Sequence, residues 1–241
     1  MVGAGPAGLM AAEVHSRGGV QVALYDAMPS VGRKFLLAGK GGLNLTHDEP
    51  FDLFASRYAA RAPQIEPMLR EFGPAQLRSW AAGLGIETFV GTSGRVFPAD
   101  MKSAPLLRAW LHRLRAAGVQ FQMRHRWTGW DADGHLRFTT AGGESTFQAD
   151  ALVLALGGAS WPRLGSDGAW MPSLQELGVE VAPLLPANCG FDVQRGWSDY
   201  FSSRHAGRPF KSVAIEFQDS KGHAFRRKGS SLPPPPAWRV A

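Results

Sequence analysis

Three glycines in the first eight residues, Gly3, Gly5 and Gly8, stand in the spacing G-x-G-x-x-G, and this restricts the possible fold more than any other feature of the chain. The pattern needs a strand before it and a helix after it. Gly3 permits the tight turn between them, Gly5 lets a pyrophosphate approach bare backbone, and Gly8 lets the helix lie close against the sheet. The helix N-terminus then presents free N–H groups and the positive end of its dipole to the phosphates. Ala4, Pro6 and Ala7 fill the rest of the turn, so residues 3–8 form one candidate phosphate cradle.

The neighbouring sequence supplies what the motif requires. Residues 9–17 read as a helix with Ala7, Gly8, Ala11 and Ala12 along one side, and Gly18-Gly19 ends it. Residues 20–25 read as a strand that Asp26 closes, about 20 residues past the turn, where a ribose-binding acid belongs. A carboxylate there suits the unphosphorylated ribose of FAD or NAD and repels the extra phosphate of NADP. The alternative, a βαβ unit that binds nothing, does not account for helix, strand and acid all falling in register. Only Met1 and Val2 precede Gly3, against about 5–6 residues for an ordinary strand, so the first strand is expected to begin upstream of Met1.

Composition narrows the class. A chain of 241 residues holds one large or two small domains. Its 44% hydrophobic content is that of a globular protein. No apolar run approaches the length of a membrane span, and the glycine-rich start lacks the basic leader of a signal peptide. The single cysteine, Cys189, excludes an intramolecular disulfide framework, fits a reducing cytoplasm, and reads as a small buried hydrophobe. The net charge is +6, but the basic residues are scattered, with one cluster at Arg226-Arg227-Lys228 and no recognition motif. Neither a nucleic-acid nor a membrane partner is expected.

Beyond Asp26, residues 32–47 hold Gly32, Arg33, Lys34, Gly41, Gly42, Asn44 and Thr46, a loop that can lay backbone N–H groups and cations around a phosphate. A solvated glycine-rich loop is the plainer alternative. Residues 51–85 read as helical, 86–90 as a short strand, and 94–98 as a turn leading into an extended segment. Ser103 reads as the N-cap of a helix whose apolar stripe is Leu106, Leu107, Trp110, Leu111 and Leu114. Residues 119–123 alternate as a strand, and 126–148 form a β-meander broken at Asp133-Gly134 and Gly142-Gly143. Residues 151–156 are a continuous apolar run ending at Gly157-Gly158, which reads as a parallel strand buried on both faces. Ligands of open α/β sheets bind beyond the carboxyl ends of such strands, so this end is a candidate for contact with the same ligand. Another glycine-rich turn follows and opens a helix ending near Gly178, with Asp167 a candidate N-cap or, alternatively, a ligand contact. From residue 179 onward prolines punctuate short strands such as 213–217.

Together the fingerprint, the loop 32–47 and the strand end Leu-Ala-Leu-Gly-Gly-Ala-Ser-Trp-Pro resemble a bacterial flavoprotein family that includes aminoacetone oxidase and a bile-acid reductase. The match extends through residues 94–98, 102–107, 165–168 and 186–191 and covers about residues 2 to 229. The resemblance implies an α/β chain, a glutathione-reductase-like, Rossmann-like FAD domain with a β-meander, interrupted by an inserted β-rich domain. It implies non-covalent FAD, with residues 3–8 on the pyrophosphate and Asp26 on the adenosine ribose. Arg33, Lys34, Gly41, Gly42, Asn44 and Thr46, with Gly32, would line the cofactor. Ala155, Gly157 and Gly158 would close over it, and Trp127 would lie near the adenine. The domains expected are residues 1–178 for the FAD domain, 179–228 for the start of the insertion, and 229–241 as an aberrant proline-rich tail. Family members continue well beyond this point, and residues 233–236, four prolines, cannot form the strand expected there. A shifted reading frame is one expectation for this tail, and a polyproline II segment is another.

The expected function is FAD-dependent oxidoreduction of an unknown small molecule, with NAD(P)H a candidate electron donor, carried by an N-terminal portion of the enzyme. A flavin supplies the reactive centre and needs no catalytic triad. No catalytic acid, base or metal site is assigned, and His47, alone in its loop, reads as a structural hydrogen-bonder. A dehydrogenase using only NAD would leave the loop 32–46 and the second glycine-rich strand end unexplained. A non-catalytic nucleotide-binding remnant is the alternative outside enzymes.

Overall fold

The computed structural model describes residues 1–38, 41–185, 196–208, 210–218, 222 and 224–231. They fall into two compact units, Met1–Leu184 and Leu185–Ala241.

The first unit is built on a small parallel sheet. Helix α1 (Pro6–Arg17) leads to strand β1 (Ala23–Asp26), and α2 (Arg33–Ala38) follows. Next come β2 (Thr46–His47), α3 (Phe51–Ser56), α4 (Ala62–Glu71), α5 (Pro74–Ala82), β3 (Thr88–Val90) and β4 (Arg95–Pro98). Helix α6 (Ser103–Ala116) returns the chain to β5 (Gln120–Met123), parallel to β1 with Ala23 opposite Gln120. On the other side of β1, Val2 bridges in parallel to both Tyr25 and Leu154, so the sheet runs β5, β1, residues 1–2, residues 153–155. The meander β6 (Arg126–Trp130), β7 (Leu136–Thr140) and β8 (Gly143–Phe147) is antiparallel, and α7 (Met171–Gln175) closes the unit.

Successive strand residues point to opposite faces, and β1 shows this directly. Leu24 enters a cluster with Leu9, Ala12, Leu106, Trp110 and Leu114, whereas Tyr25 enters a second one with Trp127, Leu136 and Phe138. Helices α1 and α6 therefore contribute to the core on one face of the sheet, and the meander to the core on the other. α1 starts at Pro6, whose fixed φ and missing N–H suit a first helical position, and it stops where Gly18 bonds back to Val14 and His15.

One charge lies inside the helical layer. Glu13 of α1 is 2% exposed. It accepts hydrogen bonds from the indoles of Trp80 (3.0 Å) and Trp110 (2.6 Å), from Arg113 (2.9 Å) and from Arg17. Burial alone would push this carboxyl up. The bonds from Trp80 and Arg113, the charge of Arg17 and the Trp110 N–H outweigh it and hold the group below the usual carboxylate range.

Several elements differ from the sequence expectation, each for a local reason. The helical stretch 51–85 is divided among α3, α4 and α5, because Pro63 and Pro74 begin new helices and Gly73 separates the last two. Ser103 is the first residue of α6 and not its cap, its hydroxyl donating to the Leu36 carbonyl at 3.3 Å. Asp167 caps no helix and holds the Ala169 N–H in a turn (3.1 Å), while α7 starts after Trp170. Residues 151–156 form a bridge in place of a doubly buried strand. Their ladder bonds go to Val2 (2.9 and 2.8 Å), and Leu152, Leu154 and Leu156 are only half-buried.

In the second unit, α8 (Asp199–His205) is capped by the Ser198 hydroxyl, which accepts from the Phe201 N–H at 3.2 Å. Strands β9 (Phe210–Gln218) and β10 (Ala224–Ser231) pair antiparallel. Gly229 lies opposite Val213 and Ser231 opposite Phe210, so residues 229–231, expected as tail, belong to β10. Cys189, the 186–191 motif and the four prolines lie outside the described residues. Among the described residues, no helix is long and apolar enough to cross a membrane.

Candidate functional site

Within the fingerprint the three glycines meet different surroundings. Gly3 has φ +103°, a conformation L side chains rarely adopt, and a Cβ there would lie 2.2 Å from the Ala155 carbonyl oxygen. A Cβ on Gly8 would fall 1.8 Å from the Gly3 carbonyl oxygen. Gly5, the N-cap of α1, has no atom within 4 Å of the same position. Two glycines are thus demanded by the chain's own backbone, and the third faces open space.

Asp26 is held firmly beside this turn. Its Oδ2 accepts the Ala4 N–H at 2.6 Å and its Oδ1 the Met28 N–H at 2.7 Å. A carboxylate has about four lone-pair sites, so each oxygen can still accept a ligand hydroxyl. The cradle is braced further by Gly3 N–H to Tyr25 O (2.8 Å) and Gly32 N–H to Ala4 O (3.0 Å).

The turn and the acid open onto a cavity of about 440 Å³, within the size range of small-molecule sites. Of the residues singled out in the sequence, Gly3, Ala4, Gly5, Pro6, Ala7, Asp26, Gly32, Arg33, Lys34, Trp127, Ala155 and Gly157 line it. Gly8 stands behind the turn, and Gly158 accepts a bond from the Gly168 N–H at 3.1 Å. Gly41, Gly42, Asn44 and Thr46 are not among the lining residues. Gly42 lies against Met101, a Cβ there falling 2.6 Å from its methyl, and Thr46 is buried in β2 opposite Val96. Helix α2 forms where the sequence suggested a loop, and it leaves only the first part of that segment, Gly32, Arg33 and Lys34 with Phe35, beside the cavity. His47 also lies elsewhere, its Nε2 bonded to the Ser93 carbonyl at 2.9 Å.

Three buried polar atoms on the cavity wall have no hydrogen-bond partner: Arg33 Nε, Trp127 Nε1 and Ser166 Oγ. Buried polar groups are satisfied with few exceptions, so these three atoms are hydrogen-bonding capacity that water or a polar ligand in the cavity can take up. The segment 157–170 closes one side of the cavity. Lys34 Nζ donates to Ser160 at 2.6 Å, Trp170 Nε1 to the Gly157 carbonyl at 3.0 Å, and Arg126 pairs with Asp167 at 2.9 Å. Burial would raise the Asp167 carboxyl, but the Ala169 N–H and Arg126 hold it below its usual value. Ser166, His125 and Arg126 were not singled out as site residues. Ser166 lies in the glycine-rich turn noted at 165–168, but nothing in the spacing of His125 and Arg126 marked them.

One further cluster brings a histidine and carboxylates together, Asp131, Asp133 and His135 in the β6–β7 turn. There Asp131 accepts the Asp133 and His135 N–H groups at 3.0 and 2.8 Å, which is the work of a turn residue.

The profile of the HI0933-like protein Rossmann domain matches residues 1–222. The 3-dehydro-bile acid delta(4,6)-reductase of Clostridium scindens is 28% identical over 198 residues, covering 81% of this chain and 47% of that protein. The ribosomal RNA dihydrouridine synthase of Haemophilus influenzae is 24% identical over 187 residues, 76% of this chain and 46% of its own length. The chain thus spans about half the length of the curated relatives it matches. Among solved structures, the 3-ketosteroid-delta4-(5alpha)-dehydrogenase of Rhodococcus jostii RHA1 superposes with a TM-score of 0.56 at 17% identity, covering 74% of this chain and 53% of that one. That likeness is one of fold.

Proposed function

From the premise that this chain belongs to the HI0933-like Rossmann domain family, we propose that it holds FAD without a covalent link and forms the cofactor-carrying part of an oxidoreductase. The observation that carries this reading is the contrast among the three glycines. Gly3 and Gly8 have their Cβ positions filled by the chain's own backbone, while Gly5 has open space there on the cavity wall, where the fixed carboxylate of Asp26 also stands.

The donor set fits the group. A diphosphate carries two negative charges and many acceptor oxygens. The start of α1 offers N–H groups and the positive dipole end, and Arg33 and Lys34 add cations. Asp26, anchored on two backbone N–H groups, is an acceptor for ribose hydroxyls, and its charge disfavours a phosphate at that sugar. The 157–170 segment, tied by Lys34 through Ser160 and by Arg126 through Asp167, borders that side of the cavity. When bound, the flavin supplies hydride and electron transfer, and the protein supplies position and electrostatics.

The proposed substrate is a small molecule, NAD(P)H is the candidate electron donor, and the cytoplasm is the compartment that a single cysteine fits best. Scattered basic charge favours a small molecule over RNA, and a steep fall of RNA binding with salt would reverse that choice. To test the cofactor, the full chain is purified, its absorbance spectrum recorded and any released chromophore identified after denaturation. Stoichiometric FAD is expected. A folded chain that is colourless and refuses added FAD overturns the reading, and tight binding of NAD alone replaces it with a nicotinamide dehydrogenase.

A further inference from the structure

Resting on the FAD reading, we propose that residues 158–168 are a hinged flap over the cavity, and that two side-chain latches set how fast the cofactor enters and leaves. The loop is closed on itself. Trp161 and Ser166 exchange both backbone bonds (3.0 and 3.1 Å), while the Leu164 N–H returns to Trp161 O and that of Gly165 to Pro162 O, each at 3.0 Å. The Gly168 N–H joins the two ends by donating to Gly158 O at 3.1 Å. Among the described residues, no backbone hydrogen bond ties 159–167 to anything outside the loop. A compact loop whose ends meet can move as one piece, and such loops are often functional.

The opposite wall is built otherwise. There the fingerprint turn is joined to the sheet through backbone bonds, from the Gly3 N–H to Tyr25 O and from the Ala155 N–H to Val2 O, each at 2.8 Å. That wall is the fixed side of the cavity, and Leu164, Gly165, Ser166 and Asp167 belong to the side that can lift. Side chains hold the flap down. Lys34 Nζ of α2 donates to Ser160 Oγ at 2.6 Å, and Arg126 of β6 pairs with Asp167 at 2.9 Å. Both contacts are open to water, with the Arg126 and Asp167 side chains 48% and 27% exposed. Exposed contacts of this kind are individually weak, so they break and re-form readily. Gly165 packs against Met28, a contact that separates without breaking a hydrogen bond. Gly157 and Gly168 flank the loop at φ +72° and +70°, and residues without a Cβ can absorb the rotation of a hinge.

A flap leaves a kinetic signature. Neither entry nor release occurs while it is shut, so both rates scale with the fraction of time it is open. Loosening a latch raises the two rates together and leaves their ratio, the dissociation constant, unchanged. Losing a contact with the cofactor raises release alone.

The test is stopped-flow binding of FAD to the full chain, freed of any copurified flavin, with release followed after dilution and affinity by equilibrium titration. Ser160→Ala removes one latch at a residue outside the cavity lining. It should speed entry and release alike by about two- to fivefold, the scale of one exposed side-chain contact, with a dissociation constant within about twofold of wild type. Ser160→Thr keeps the hydroxyl and should exchange FAD like the wild type. Asp167→Asn loosens the other latch and should act in the same direction. The double variant Ser160→Ala, Asp167→Asn should show the product of the two factors, since the latches share no residue. Faster release with entry unchanged overturns the proposal, as do unchanged rates in the double variant. If FAD binds and exchange follows either of those patterns, only this inference fails. If no chain binds FAD, the cofactor reading fails and the flap with it.

Discussion

Residues with the same name in one motif answer to different constraints here, and mutation separates them. Gly8→Ala drives a methyl into the Gly3 carbonyl oxygen, so helix and strand must part. The expected cost is about 1–3 kcal/mol or more, read as a lower denaturation midpoint with or without cofactor. Gly5→Ala meets no protein atom and sits at an ordinary φ of −80°. Its thermal midpoint should stay near wild type while FAD affinity drops about tenfold or more, the equivalent of overpacking a filled site. A Gly5→Ala chain that retains flavin normally would mean that the phosphates lie elsewhere. The spacing of these glycines, and of Asp26 after them, is legible from sequence because it is local geometry repeated wherever a strand turns into a phosphate-binding helix. Ser166 and His125 are not legible in that way. Their relevance is a matter of which cavity they border, and that depends on chain folding more than a hundred residues from the fingerprint.

At the scale of elements, the helical layer is joined through Glu13. One carboxylate of α1 takes both indoles, one from α5 and one from α6, along with two guanidinium groups. Its pKa is lowered in the folded chain, so the stability it contributes is complete above the ordinary glutamate value of about 4.3 and is lost as the pH falls through it toward the depressed value. Glu13→Gln should be less stable at neutral pH and should lack this part of the acid dependence. Thermal midpoints of both chains between pH 7 and pH 3 check it, and parallel curves would remove Glu13 as the cause. Glu13→Ala strands both indole N–H groups and a guanidinium, at a cost of about 3–5 kcal/mol by analogy with broken buried pairs. Periodicity revealed the stripe of α6, of which Leu106, Leu107, Trp110 and Leu114 are buried and Leu111 is half-buried at its edge. It could not reveal that a glutamate in α1 would be the centre of the packing, since a charge counts as surface in any hydrophobic pattern. The stretch 51–85 is helical as its pattern indicates, and what the pattern leaves open is its division into several helices, with Pro63 and Pro74 in the first turns of α4 and α5.

For the molecule as a whole, every described residue lining the cavity lies between Val2 and Leu174, inside the unit Met1–Leu184. A chain ending at Leu184 is therefore expected to bind FAD within about twofold of the full chain. Equilibrium titration of both chains checks this, and loss of binding in the shorter one would assign the second unit a part in holding the cofactor. The Rossmann-like class was readable from the order of motifs. The division of the chain was less so, because the change from one unit to the next is marked by scattered prolines and not by a linker of distinct composition. The tryptophans add a practical dividend. Of the eight tryptophans, Trp80 and Trp110 surround the buried glutamate, whereas Trp127 and Trp170 border the cavity, so two pairs of emitters stand in separate surroundings. Replacing Trp170 by phenylalanine should therefore shrink the change in emission when the cavity fills, while the change on unfolding to which Trp80 and Trp110 contribute is kept.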